Sequence, residues 1–177
     1  MKTHFKSTLA VALPIVFVLV VAALASPPAR AAGPWYVKPG GSDASDCLSP
    51  ATACAMINGA LNKPGFVVGD TIRVATGTYT GTGTEVVLLD KSATLSGGWN
   101  IAFTVQSGMS TIDGGAAREG MNVNSDVIAS VERFAVQNAA AYPFGGNGYG
   151  IDNYGTLTLT TCVVSGNMST GIGNTEH

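Results

Sequence analysis

The four-residue phrase Gly-Ile-x-Asn stands at residues 150–153 and again at 171–174, an offset of 21. Upstream of each copy, residues 131–138 (Val-Glu-Arg-Phe-Ala-Val-Gln-Asn) align with residues 159–167 (Leu-Thr-Thr-Cys-Val-Val-Ser-Gly-Asn) at an offset of 28. The offsets differ by seven residues, which places an insertion within 139–147, where Ala-Ala-Ala-Tyr-Pro-Phe-Gly-Gly-Asn reads as a loop. One unit earlier, Gly120-Met121-Asn122-Val123-Asn124 occupies the place of Gly150-Ile151-Asp152-Asn153. A period a little above about 20 residues, with short strands and loops of variable length, is the sequence form of a parallel β-helix.

The rest of the chain agrees with that period. Short apolar or β-branched runs, broken by Gly, Thr and Asn, fall at residues 71–75, 85–89, 93–96, 111–112, 121–123, 127–131, 134–136, 150–151, 157–159 and 162–164. No helical pattern separates them, which excludes an alternating strand-and-helix architecture. In a β-helix each strand lies about 4.8 Å above its equivalent, so Ile151 is expected over Ile172 and Val136 over Val164. Asn tolerates the left-handed corner conformation and its amide hydrogen-bonds along a stack, which makes Asn153 and Asn174 a candidate Asn ladder. One helix is expected, over residues 51–62, with Met56, Ile57, Ala60 and Leu61 on one face and Ser49 or Thr52 as its cap. Its apolar face would cover the first coil, as the terminal repeats of solenoids require.

Residues 1–31 read as a targeting segment outside the fold. Lys2 and Lys6 form a basic start, residues 9–25 are almost wholly apolar, and Ala29-Arg30-Ala31 is a small-x-small cleavage pattern. The expectation is a secreted or cell-surface protein; membrane contact is expected only if this segment stays uncleaved, since 17 apolar residues lie at the lower limit for a span. The organisation that follows is a signal peptide over 1–31, a strand, loop and capping helix over 32–69, and coils over 70–177. Cleavage removes three of the nine basic residues and none of the eleven acids, a formal charge of −5, so no nucleic-acid partner is expected. Of the three cysteines, Cys47 and Cys54 lie close enough in an exported loop for a disulfide, while Cys162 sits among apolar positions as a buried thiol. Cys-x6-Cys with no nearby His is not a zinc set, and no metal site is expected.

The segments Asp46-Cys-Leu-Ser-Pro-Ala-Thr-Ala-Cys54, Gly69-Asp-Thr-Ile-Arg-Val-Ala-Thr-Gly-Thr-Tyr79, Ala93-Thr-Leu-Ser-Gly-Gly-Trp-Asn100 and Ser110-Thr-Ile-Asp-Gly114 resemble the opening of bacterial secreted β-helix repeat proteins of the pectin-lyase-like superfamily. The resemblance covers about residues 35–174. It implies an all-β, right-handed parallel β-helix with a short N-terminal capping helix. It also implies more coils than this chain has, so the uncapped end reads as that of an N-terminal fragment and predicts self-association through the last coil. The scaffold hosts lyases, hydrolases, esterases and adhesins, so it does not fix an activity.

Lyases of this kind use clustered acidic Ca²⁺ ligands with an arginine base. The acids here, Asp70, Glu85, Asp90, Asp113, Glu119, Asp126, Glu132 and Asp152, are scattered singly, and Arg73, Arg118 and Arg133 read as solvated surface residues. His4 and His177 cannot serve a nucleophile, which excludes Ser–His chemistry. Aromatic residues at the insertion, Tyr142, Phe144, Tyr149 and Tyr154, are the candidate carbohydrate-binding set. The expected function is thus a non-catalytic exported β-helix for adhesion, glycan binding or structure, with extracellular polysaccharide or cell-surface glycans as partners and no cofactor. The alternative is the N-terminal part of a Ca²⁺-dependent polysaccharide lyase.

Overall fold

The computed structural model describes residues 33–141 and 147–174. These residues are mostly short parallel β-strands, with one helix of five residues among them. In chain order they are β1 (Trp35–Val37), α1 (Ile57–Leu61), β2 (Thr71–Ala75), β3 (Gly77–Tyr79), β4 (Glu85–Leu89), β5 (Ala93–Trp99) and β6 (Ser110–Asp113). Then follow β7 (Glu119–Val123), β8 (Ile128–Glu132), β9 (Phe134–Gln137), β10 (Ile151–Asn153), β11 (Thr156–Thr160), β12 (Val163–Val164) and β13 (Ile172–Asn174). Three parallel sheets result, ordered β1-β2-β5-β8-β11, β3-β6-β9-β12 and β4-β7-β10-β13. From β2 to β10, every strand is thus hydrogen-bonded to the strand three places further along the chain.

Registers fix which side chains stack. Trp35, Ile72, Leu95, Val131 and Leu159 form one apolar column. Tyr79, Ile112, Val136 and Val164 form a second. Val87, Met121, Ile151 and Ile172 form a third. The pairs Ile151 with Ile172 and Val136 with Val164 are those the repeat offsets specify. Apart from Ile172, which is 40% exposed, these columns and Phe134 make one continuous core. The glycine of the repeated phrase is explained by the closeness of neighbouring strands: a Cβ on Gly150 would lie 2.7 Å from the Gly171 carbonyl oxygen and 2.7 Å from a methyl of Val164.

The corner between the first two sheets differs from expectation. Glycine and asparagine suit such corners, yet Arg133 (φ 57°) and Thr161 (φ 52°) hold the left-handed conformation there. Backbone bonds to adjacent rungs offset the cost: Arg133 N–H donates to the Thr160 oxygen at 3.0 Å, and the Arg133 oxygen accepts from Ser110 N–H at 3.0 Å.

The helix is also shorter than the periodicity predicts. It begins at Ile57, not near residue 51, and neither Ser49 nor Thr52 caps it. Tertiary pairing takes the preceding residues out of a helix: Cys54 N–H donates to Tyr36 O (2.8 Å) and Cys54 O accepts from Lys38 N–H (2.9 Å). Asp43 supplies the missing cap from outside the segment, its Oδ1 accepting from the N–H groups of Ala55 (2.9 Å) and Met56 (3.0 Å). Buried Ile57, Ala60 and Leu61 set the helix against β1, β2 and β4, while Met56 is half-exposed.

Asn58 completes this cover. Its side-chain amide behaves as a peptide group laid along the free edge of β4, accepting from Leu88 N–H (3.0 Å) and donating to Val86 O (3.3 Å). Asn58→Ala is expected to lower unfolding free energy by about 1–3 kcal/mol, because two backbone groups lose their partners at once. Urea denaturation of both proteins measures it, and an unchanged midpoint would mean that water replaces the amide without loss.

Candidate functional site

Strand alternation puts the variable residue of the repeated phrase on the face opposite the core column of Met121 and Ile151. In successive rungs it is Asn122, Asp152 and Gly173, registered side by side across β7, β10 and β13, with Leu88 of β4 at the start of the row. An outward position is ordinarily solvated, but Asp152 is only 2% exposed. Its Oδ2 accepts a hydrogen bond from Tyr154 O–H at 3.0 Å. Its Oδ1, and the Oδ1 of Asn122 on the next strand, are buried and have no hydrogen-bond partner.

Two of the four aromatic residues picked out by the sequence meet in this row. Tyr154 follows β10 and holds Asp152 as described. Tyr149 precedes β10 and lays its half-buried ring over Gly173, where a Cβ would come within 2.6 Å of the ring. Glycine at 173 is therefore what admits the ring, and a tyrosine face takes the place of a third outward side chain. Tyr142 and Phe144 lie outside the described residues. The flanks of the insertion are tied to neighbouring rungs: Asn147 N–H donates to Glu119 Oε1 (2.7 Å), Ala140 N–H to Arg118 O (2.9 Å) and Ser169 N–H to Gly148 O (3.2 Å).

The remaining residues of interest fall elsewhere. Cys47 and Cys54 form a disulfide, with Cα atoms 5.0 Å apart and both side chains fully buried. Asn153 donates to Asn174 Oδ1 at 3.1 Å and also bonds the Gly155 oxygen at 3.2 Å. The rung below carries Val123 at that position, so the ladder there has two asparagines. A separate corner network joins Gln137 and Asn138, each donating to Asp113 Oδ2 at 3.0 Å, and these bonds, led by Gln137, hold the Asp113 carboxyl below its usual range. Cys162 is half-buried where the sequence suggests a buried thiol, because no strand lies beyond β11 and β12 among the described residues to cover it.

Sequence reading also misses a polar group on the five-stranded sheet. Glu132 Oε1 accepts from Ser96 Oγ (2.6 Å) and Gln106 Nε2 (2.8 Å), bonds that hold its carboxyl below the usual range. Trp99 Nε1–H donates to the same Ser96 oxygen at 3.0 Å, and the Arg73 guanidinium stacks 4.4 Å from the Trp99 ring centre. Its role is structural, since its bonds bind the 100–109 loop to the sheet. The Asp152 row has the opposite character, with acceptors lacking donors.

That difference is chemically useful. A buried acceptor without a donor costs about 1–3 kcal/mol, and these two, both closed off from solvent, mark a row that is not satisfied from within. Tyrosine rings beside such a row suit a molecule with an apolar face and hydroxyl groups, the pattern of a sugar. The signal was present in the sequence as Asn122, Asp152 and Gly173 at one position of one phrase. Among the described residues no three His, Cys, Asp or Glu side chains gather as a metal-binding group. No family model, curated protein or solved structure matches the chain.

Proposed function

We propose that the protein is a non-catalytic, exported binding module of the pectin-lyase-like kind. On this reading its three sheets are the faces of a right-handed parallel β-helix, and it holds extracellular or cell-surface glycans on the Asn122–Asp152–Gly173 row. The architecture is supported by all three sheets repeating every third strand, and export by the apolar leader and the Cys47–Cys54 bridge. The observation that carries the binding reading is the pair of half-buried tyrosines on this row, Tyr149 lying over Gly173 and Tyr154 donating to Asp152.

Isothermal titration with plant and bacterial polysaccharides tests it. Binding without turnover is expected, weakened tenfold or more by Tyr149→Ala and by Asp152→Ala while the circular dichroism spectrum stays unchanged. A tenfold loss corresponds to about 1.4 kcal/mol, within reach of one lost stacking or hydrogen-bonding contact. Failure to bind any glycan would remove the reading. Ca²⁺-dependent release of unsaturated sugars from polygalacturonate would replace it with the lyase.

A further inference from the structure

The sequence pattern reads Arg73 as a solvated surface residue, but in the fold it is half-buried on the outer face of the five-stranded sheet. Among the described residues its guanidinium has neither a hydrogen-bond acceptor nor an ion-pair partner; its contact is the Trp99 ring, with the centroid 4.4 Å away. That ring is itself held in place. Trp99 Nε1–H donates to Ser96 Oγ at 3.0 Å, and Ser96 O–H donates to Glu132 Oε1 at 2.6 Å. A cation–π contact orients the guanidinium without supplying an acceptor, so its rigid fork of N–H donors is set in advance for an oxyanion.

The surroundings decide which oxyanion fits. Arg73 lines a cleft of about 200 Å³ together with Pro34, Gly69, Asp70 and Thr71. This is below the range of about 300–1,000 Å³ for pockets that take drug-sized molecules, and it suits a compact organic acid. Thr71 stands two residues from Arg73 on the same face of β2 and adds a hydroxyl. Asp70 is anchored through its Oδ2, which accepts from Trp35 Nε1–H at 2.8 Å and from Val67 N–H at 3.0 Å. Its negative charge disfavours a dianion in the same cleft and favours a ligand that also carries a hydroxyl or ammonium donor.

We propose that this cleft binds a small monocarboxylate with a donor on the adjacent carbon, an α-hydroxy or α-amino acid. The carboxylate takes the two-bond fork of Arg73, and the α-substituent is turned to Asp70 and Thr71. A guanidinium already fixed by Trp99 loses little freedom on binding. The Asn122 row belongs to a different sheet, β4-β7-β10-β13, so this inference is independent of glycan binding.

An NMR titration of the full chain, following the Arg73 Nε–H and Trp99 Nε1–H signals, is the test. Compounds of one size separate the requirements: L-lactate carries carboxylate and hydroxyl, L-alanine carboxylate and ammonium, propionate the carboxylate alone, and lactamide the hydroxyl without the carboxylate. Lactate or alanine is expected to shift both signals saturably, and the tighter of the two identifies the α-substituent. Propionate is expected to bind at least about threefold more weakly and lactamide at least about tenfold. Arg73→Gln is expected to weaken the tighter ligand at least about tenfold with the dichroism spectrum unchanged, and Arg73→Lys, which keeps the charge but not the fork, by a smaller factor. No saturable shift with lactate or alanine, propionate or lactamide binding as well as the tighter ligand, tighter binding of inorganic phosphate, or an Arg73→Gln variant that binds like the unaltered chain would each overturn the proposal.

Discussion

Phe134→Ala is expected to lower unfolding free energy by about 3–5 kcal/mol, the range for removing a large aromatic from a packed interior. Phe134 is the largest of the fully buried side chains and opens β9 directly after the left-handed corner at Arg133. Its ring reaches under Gly97, where a Cβ would come within 2.9 Å of it. The cavity has little means of closing, because strands on both sides are held at fixed spacing by backbone hydrogen bonds. Because β9 pairs with both β6 and β12, the loss also reaches the neighbouring strands. Chemical denaturation measures the effect, and a loss under about 1 kcal/mol would mean that the corner relaxes around the smaller side chain.

Replacing both Cys47 and Cys54 by alanine is expected to cost about 2–5 kcal/mol. The bridge closes a short loop, with a sequence separation of seven, and that loop is what hydrogen-bonds the outer edge of β1. Its removal therefore frees unfolded-chain entropy and also loosens the cover over the first rung. Thermal melting with and without a thiol reductant checks this on the unaltered chain. A large fall in melting temperature is expected once the thiols titrate as free. An unchanged melt with both thiols free would assign the loop's order to Asp43 and the surrounding backbone bonds.

The parts of this architecture that were legible in the sequence are those that repeat. Ile151 and Ile172, or Val136 and Val164, could be paired in advance because an interior column demands apolar residues at constant register, whatever the loops between them do. Local, unrepeated choices were harder to read. Gly77–Tyr79 makes a strand of three residues with little β-forming pattern, held by its neighbours and by Tyr79 O–H donating to Ala75 O at 2.8 Å. Residues 51–56 have helical periodicity, but tertiary bonds to β1 and Asp43 outweigh a propensity worth only tenths of a kcal/mol per residue.

The candidate site was half legible for the same reason. Tyr149 and Tyr154 stood out as aromatics near an insertion. Asp152 read as one scattered acid, because nothing in a single sequence reveals that an outward-facing carboxylate is buried.

The unequal spacing of paired residues has a consequence for how such a surface can change. Register partners are 21 residues apart between β10 and β13, 28 between β8 and β11, and 36 between β5 and β8. Each interval advances the stack by the same single step of about 4.8 Å. Position within each sheet is thus decoupled from chain length, and each sheet works as a ruler whose graduations ignore how much chain lies between them. Segments grafted between β9 and β10 should alter what the molecule touches while leaving every graduation where it was.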